Sequence, residues 1–105
     1  MQINQEISDI VEVIKQTVPV LQIYLFGSHA KGTAREDSDY DFYVVIPDDS
    51  MRELIACQKI RMAIADIQQT PIDMLVGSES KFNKRKDWIS TMEMEVAKTG
   101  VVIYE

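Results

Sequence analysis

Four short apolar runs, at 20–26, 39–46, 72–76 and 101–104, alternate with longer stretches whose apolar residues recur every three or four positions. Runs of that length rich in β-branched and aromatic residues are strands, and the stretches between them are amphipathic helices. In the first stretch Ile3, Ile7, Ile10, Val11, Ile14 and Val18 form one helical stripe. Pro19 drives Val18 out of the helical region, which predicts an end by Thr17. Val20 to Phe26 has Gln22 as its only polar residue, the mark of a central strand buried on both faces. Gly27-Ser28 breaks it, and Ser28 to Gly32 fits a short helical turn.

Asp39 to Ile46 is a second strand closed by Pro47. Ser50 with Glu53 has the spacing of a capping box, opening a helix to about Gln68 whose buried stripe is Leu54, Cys57, Ile60, Ile64 and Ile67. Pro71 leads into a third strand, Ile72 to Val76, ended by Gly77. A short helical turn is expected after Ser78. Trp88, Ile89, Met92 and Val96 predict a last helix, with Gly100 as its C′ residue, and Val101 to Tyr104 is the final strand. The order α-β-α-β-α-β-α-β has no linker and no repeat, so one α/β (α+β) domain over residues 1–105 is expected, a mixed β-sheet covered by helices.

Composition narrows the function classes. Cys57 is the only cysteine, which excludes an internal disulfide framework and a cysteine-built zinc cage. No apolar run reaches membrane-spanning length, and Met1 to Glu6 lacks the basic, apolar start of a signal peptide. A cytoplasmic protein with no membrane partner is expected. The net charge of -6 makes direct nucleic-acid binding a poor expectation, since such binding neutralises phosphates with Lys and Arg. Six acids and no base lie between Glu36 and Asp49, whereas Lys81 to Lys86 holds four bases in six residues. That basic patch reads either as a solvated surface or as a dock for an acidic partner.

The acid-rich segment carries the chemistry. Asp39 and Asp41 are two apart on a strand, so both side chains leave on one face about 6–7 Å apart. Like charges that close repel unless a cation lies between them, and Mg²⁺ takes one or two carboxylates plus phosphate oxygens. Asp73 interrupts an otherwise apolar strand, where an unpaired carboxylate is costly to bury. If its strand lies beside the second, three carboxylates can gather around two cations for in-line phosphoryl or nucleotidyl transfer. Gly27 lets the backbone approach a ligand, and Ser28 with the next amides can donate to phosphate. Lys31 and Arg35 follow closely enough to neutralise part of a triphosphate, or else are simply solvated. The spacings of a P-loop and of a dinucleotide fingerprint are both absent.

Gly27-Ser28, ten residues, then Asp39-x-Asp41, with Ala30, Gly32 and Ser38 between, resembles the signature of the polymerase-beta-type nucleotidyltransferase superfamily. The whole chain resembles its minimal nucleotidyltransferase branch, through to Gly100-Val101-Val102-Ile103-Tyr104. The resemblance implies the polymerase-beta-type nucleotidyltransferase fold. It implies that Asp39, Asp41 and Asp73 are catalytic and bind two Mg²⁺ ions, and that Gly27 and Ser28 hold the phosphates of ATP or another nucleoside triphosphate, beside which Lys31 and Arg35 remain the candidates their spacing offers. His29 stands where that family varies freely and is given no role. The branch often pairs with a small helical HEPN protein, and some such pairs are toxin–antitoxin systems in which the minimal protein, as antitoxin, transfers AMP from ATP to a tyrosine of the partner. The absence of the larger members' second domain points to an acceptor supplied by another chain, and a homo-oligomer is a further expectation. Two other readings stay open: an antitoxin acting by contact alone, and a transferase modifying a small antibiotic-like molecule.

Overall fold

The computed structural model describes residues 3–35 and 38–105. Its elements are α1 (Gln5–Thr17), β1 (Gln22–Phe26), α2 (Ser28–Lys31), β2 (Tyr40–Ile46), α3 (Glu53–Ile64), β3 (Ile72–Ser78), α4 (Glu79–Arg85), α5 (Met92–Thr99) and β4 (Val101–Tyr104). The expected alternation holds, with the last helical stretch divided into α4 and α5. The four strands form one sheet in the order β3-β2-β1-β4. β1 is antiparallel to both β2 and β4, and β2 runs parallel to β3, so the sheet is mixed.

Strand alternation gives the sheet two distinct faces. Tyr40, Phe42, Val44 and Ile46 of β2 join Ile23 and Leu25 of β1 beneath α1 and α3 in the larger core. The opposite face carries Phe26, Tyr43 and Val45, covered by Phe82 of α4 and Val96 of α5. β1 is therefore central and covered on both sides, as its nearly unbroken apolar run requires. The α1 stripe is buried at Ile7, Ile10, Val11 and Ile14, and at Val18 just past the helix, but Ile3 precedes the helix and is exposed, because the Asn4 side chain caps it by accepting from the Ile7 amide at 2.9 Å.

Five local expectations are corrected. The Ser50–Glu53 capping box does not form. Ser50 Oγ donates to the Pro47 carbonyl at 2.6 Å, and Glu53 Oε2 accepts from the Ser78 amide at 3.0 Å across the molecule. α3 starts at Glu53 without a side-chain cap, and its core-facing row is Ala56, Ile60 and Ile64, leaving Leu54 62% exposed. A small alanine lets the helix lie close to the sheet, and that rotation turns Leu54 outward.

Gly77 does not end β3, which runs on to Ser78 with Gly77 opposite Val45. Its missing side chain leaves room for Tyr43, whose hydroxyl lies where a Cβ at Gly77 would fall. Trp88 and Ile89 precede α5 rather than belonging to it, and are 46% and 86% exposed; Thr91 caps the helix by accepting from the Met94 amide at 3.0 Å. Gly100 closes α5 in an extended conformation, φ -75°, not the left-handed one, because the chain turns at once into β4.

Candidate active site

The registers of the sheet assemble the site. Phe26 pairs with Asp41, and Asp41 with Asp73, in one row across β1, β2 and β3. The next row inward on the same face is Tyr24, Tyr43 and Leu75. The parallel pairing of β2 with β3, which local sequence leaves undetermined, is what sets two carboxyls side by side. Asp39 stands one residue before β2 and is exposed, as is Asp73. The acids thus occupy the open end of the sheet, where β1 finishes and β2 and β3 begin.

Crowding leaves its mark on Asp41. Its carboxyl is pushed up to about 6, first by burial, then by the neighbouring Asp73 carboxyl, close enough to share a proton, and then by the charges of Asp73 and Asp39; His29 opposes the rise. Gly27 presses on the same group from the β1 side. Its φ of 74° is a left-handed conformation suited to glycine, and a Cβ there would collide with Asp41 Oδ2. Strand end, turn and acid are thus in direct contact, as the sequence spacing anticipates.

The donor set fits a divalent cation. It consists of hard oxygens, with two carboxyls so close that a bound positive charge would relieve their repulsion. Among the described residues no three His, Cys, Asp or Glu side chains form a ready-made cage. Mg²⁺ takes one or two carboxylates and keeps water and substrate phosphate oxygens among its ligands.

The expected phosphate-binding residues divide. Gly27 adjoins the acids, and Ser28 opens α2 beside it with a side-chain hydroxyl that makes no hydrogen bond among the described residues. Lys31 reaches instead to α5, with Nζ 3.2 Å from Glu95 Oε1 in a solvated pair. Arg35 is exposed on the loop after α2, where its amide donates to Ser38 Oγ at 2.8 Å. The basic patch is divided too: Lys81 pairs with Glu53, Arg85 with Glu93, and Lys84 and Arg85 lie over the Trp88 ring. Glu36 and Asp37 of the acidic run lie outside the described residues.

Two contributors escape the sequence patterns. Glu6 of α1 accepts from the amides of Gln69 and Thr70 at 2.8 and 2.9 Å, and from Thr70 Oγ1 at 2.9 Å. It thereby anchors the turn ahead of Pro71, whose carbonyl accepts from the Tyr40 amide at 3.0 Å and begins the β2–β3 pairing. Its partners are more than sixty residues away, so no local pattern reveals it. The second is His29, whose imidazole lies against Tyr40 with ring centroids 4.3 Å apart and whose Nε2 donates to the Ser38 carbonyl at 3.0 Å. Its place directly after Ser28 was the available signal.

Residues 7–95 match the model of the nucleotidyltransferase domain family. The chain belongs to that family. A Methanocaldococcus jannaschii protein whose name describes a protein adenylyltransferase is 32% identical over 85 residues, covering 81% of this chain and 79% of that one. Among solved structures, a toxin–antitoxin complex with AMP-PNP superposes with a TM-score of 0.67 at 21% identity, over 96% of this chain and 73% of the other. A nucleotidyltransferase-like structure from Sulfolobus solfataricus superposes with a TM-score of 0.64 at 18% identity, over 96% and 78%. At those identities the likeness is one of fold: the polymerase-beta-like nucleotidyltransferase architecture. This nucleotidyltransferase therefore carries its Gly-Ser turn and acid row at the open end of that fold's sheet. Among the described residues no helix is long and apolar enough to cross a membrane.

Proposed function

We propose that this nucleotidyltransferase moves AMP from ATP onto a hydroxyl of a partner protein, and that residues 1–105 act as one transfer unit in the cytoplasm. The observation that carries the reading is the Asp41–Asp73 pair at the end of the sheet, held against Gly27, with no side chain among the described residues neutralising enough to keep Asp41 in its ordinary range. The adenylyltransferase name of the archaeal relative and the AMP-PNP-bound toxin–antitoxin fold neighbour support adenylate as the group moved and a protein as its acceptor.

In this reading Asp39, Asp41 and Asp73 would hold Mg²⁺, two ions in a full site, and Gly27 and Ser28 would receive the phosphates. Bound Mg²⁺ supplies charge neutralisation on the triphosphate and lowers the pKa of the attacking hydroxyl. Asp73 takes the hydroxyl proton, the acceptor oxygen bonds to the α-phosphorus, and the bond from that phosphorus to the bridging oxygen breaks to release pyrophosphate. Lys31 leaves its solvated pair with Glu95 to meet the phosphates, a small cost because exposed ion pairs contribute little. Arg35 adds charge from the loop.

Asp39 and Asp73 open outward, which suits an acceptor brought by a second protein. We assign that partner as a small helical protein of the HEPN type, with this chain as the antitoxin. The test is transfer of label from α-labelled ATP with Mg²⁺ into proteins of a host lysate, comparing wild type with Asp39→Asn/Asp41→Asn. A labelled protein band with the wild type alone is the expected outcome. An unlabelled partner that still copurifies would instead mean neutralisation by contact.

A further inference from the structure

We propose that His29 is a positioning residue of the transfer site, fastening the phosphate-side turn to the strand that carries Asp39 and Asp41. The inference rests on the site reading above and adds to it a residue that makes no contact with the reacting groups. His29 lies on α2, one residue beyond Ser28, and its Nε2–H donates to the Ser38 carbonyl at 3.0 Å, nine residues along the chain. A carbonyl can only accept, so the proton lies on Nε2.

The Ser38 carbonyl belongs to the peptide that leads directly into Asp39. The Ser38 amide donates to the Arg35 carbonyl at 3.0 Å, and Ser38 Oγ accepts from the Arg35 amide at 2.8 Å, closing a turn on the near side. On the far side the Tyr40 amide is held by the Pro71 carbonyl at 3.0 Å. Asp39 is thus an exposed carboxylate whose flanking peptides are both fixed, one by His29 and one by β3.

The imidazole is itself held. It lies against Tyr40 at 4.3 Å, and the Tyr40 hydroxyl accepts from Asn4 Nδ2 at 2.8 Å, the same asparagine whose Oδ1 caps α1. The consequence is a set spacing between the Gly27–Ser28 turn and the acids. A displacement of about an ångström between groups that must meet one triphosphate can cost orders of magnitude in rate.

Two variants separate the bond from the ring. His29→Phe keeps an aromatic side chain against Tyr40 and removes the donor; His29→Gln keeps a donor at comparable reach and removes the ring. Both are compared with wild type and Asp41→Asn in Mg²⁺–ATP titration calorimetry, in labelled transfer at saturating Mg²⁺–ATP, and in thermal melting. The expected result is about a tenfold loss of transfer in His29→Phe, recovery to within about threefold in His29→Gln, and no correlation of either with melting temperature. Wild-type transfer by His29→Phe, or losses in both variants that follow their melting temperatures, would overturn the proposal. If Asp41→Asn also binds Mg²⁺–ATP and transfers label like the wild type, the site reading itself fails and the role of His29 with it.

Discussion

Two carboxylates on the same face of the sheet have opposite surroundings. Asp41, at the open end, is held above the ordinary carboxylate range by burial and by Asp73 and Asp39. One row inward, Glu93 of α5 is only 5% exposed, yet its carboxyl is held below that range. Burial alone would raise it, but Arg85 Nε donates to Oε1 at 2.9 Å and the Tyr43 hydroxyl to Oε2 at 2.7 Å, and these outweigh desolvation. Tyr43 is raised in turn, by burial and by that carboxylate. The inner carboxylate finds its compensation within the chain and ties α4 and α5 to β2. Among the described residues the outer pair lacks such compensation, which is what the proposed site for an incoming cation and triphosphate requires.

The largest effect should come from removing charge at the outer site. Asp39→Asn/Asp41→Asn should reduce nucleotidyl transfer on the order of 10³-fold while circular dichroism and melting remain those of a folded protein. At the inner site the effects should be reversed. Glu93→Ala leaves the Tyr43 hydroxyl without its acceptor and Arg85 unpaired, which should lower stability by about 2–3 kcal/mol in urea unfolding. Arg85 is partly solvated, so the upper end of the range for buried pairs is not expected. Mg²⁺–ATP affinity should stay close to that of the wild type, and an equal loss of both would erase the distinction between the two regions.

The pH dependence sharpens the comparison further. Asp41 binds its proton more tightly in the folded than in the unfolded chain, so its contribution is fully present at low pH and is lost as pH rises through about 6. Glu93 has the opposite sign: its contribution is present above the ordinary glutamate value and is lost as pH falls through the depressed one. In chelator, Asp41→Asn should therefore melt a few degrees above wild type near neutral pH and converge with it below about pH 4. Parallel melting curves across that window would mean that the acids do not strain the metal-free fold. The smallest effect belongs to the solvated pair: Lys31→Ala should change stability by only about 0.2–1 kcal/mol. Its consequence, if Lys31 meets phosphate, should appear in the ATP half-saturation.

Much of this molecule was legible one segment at a time. The α1 helix, the Gly27 break, the second strand (expected from Asp39, formed from Tyr40) and the final strand follow from local periodicity, proline and glycine. Ser78 shows the limit, because its helix is short and its side-chain cap, accepting from the Lys81 amide at 3.3 Å, is the clearest local sign of it. The α3 start departs from its local signal for a physical reason. A capping box is a local option, and Glu53 found better partners in the Ser78 amide and Lys81. A stripe locates a helix face only approximately, and Ala56 rather than Leu54 takes the inner position.

The amino-acid sequence by itself determined the elements, the spacing of Gly27-Ser28 from Asp39 and Asp41, and the likeness those residues bear to a nucleotidyltransferase. Tertiary structure alone decided that β3 lies parallel beside β2 with Asp73 opposite Asp41, that Lys31 turns toward Glu95, and that His29 and Glu6 hold the loops around the acids. The division has a physical basis. Backbone periodicity is settled by neighbours a few residues apart, whereas the state of a carboxylate depends on the charges and donors that distant segments bring to it.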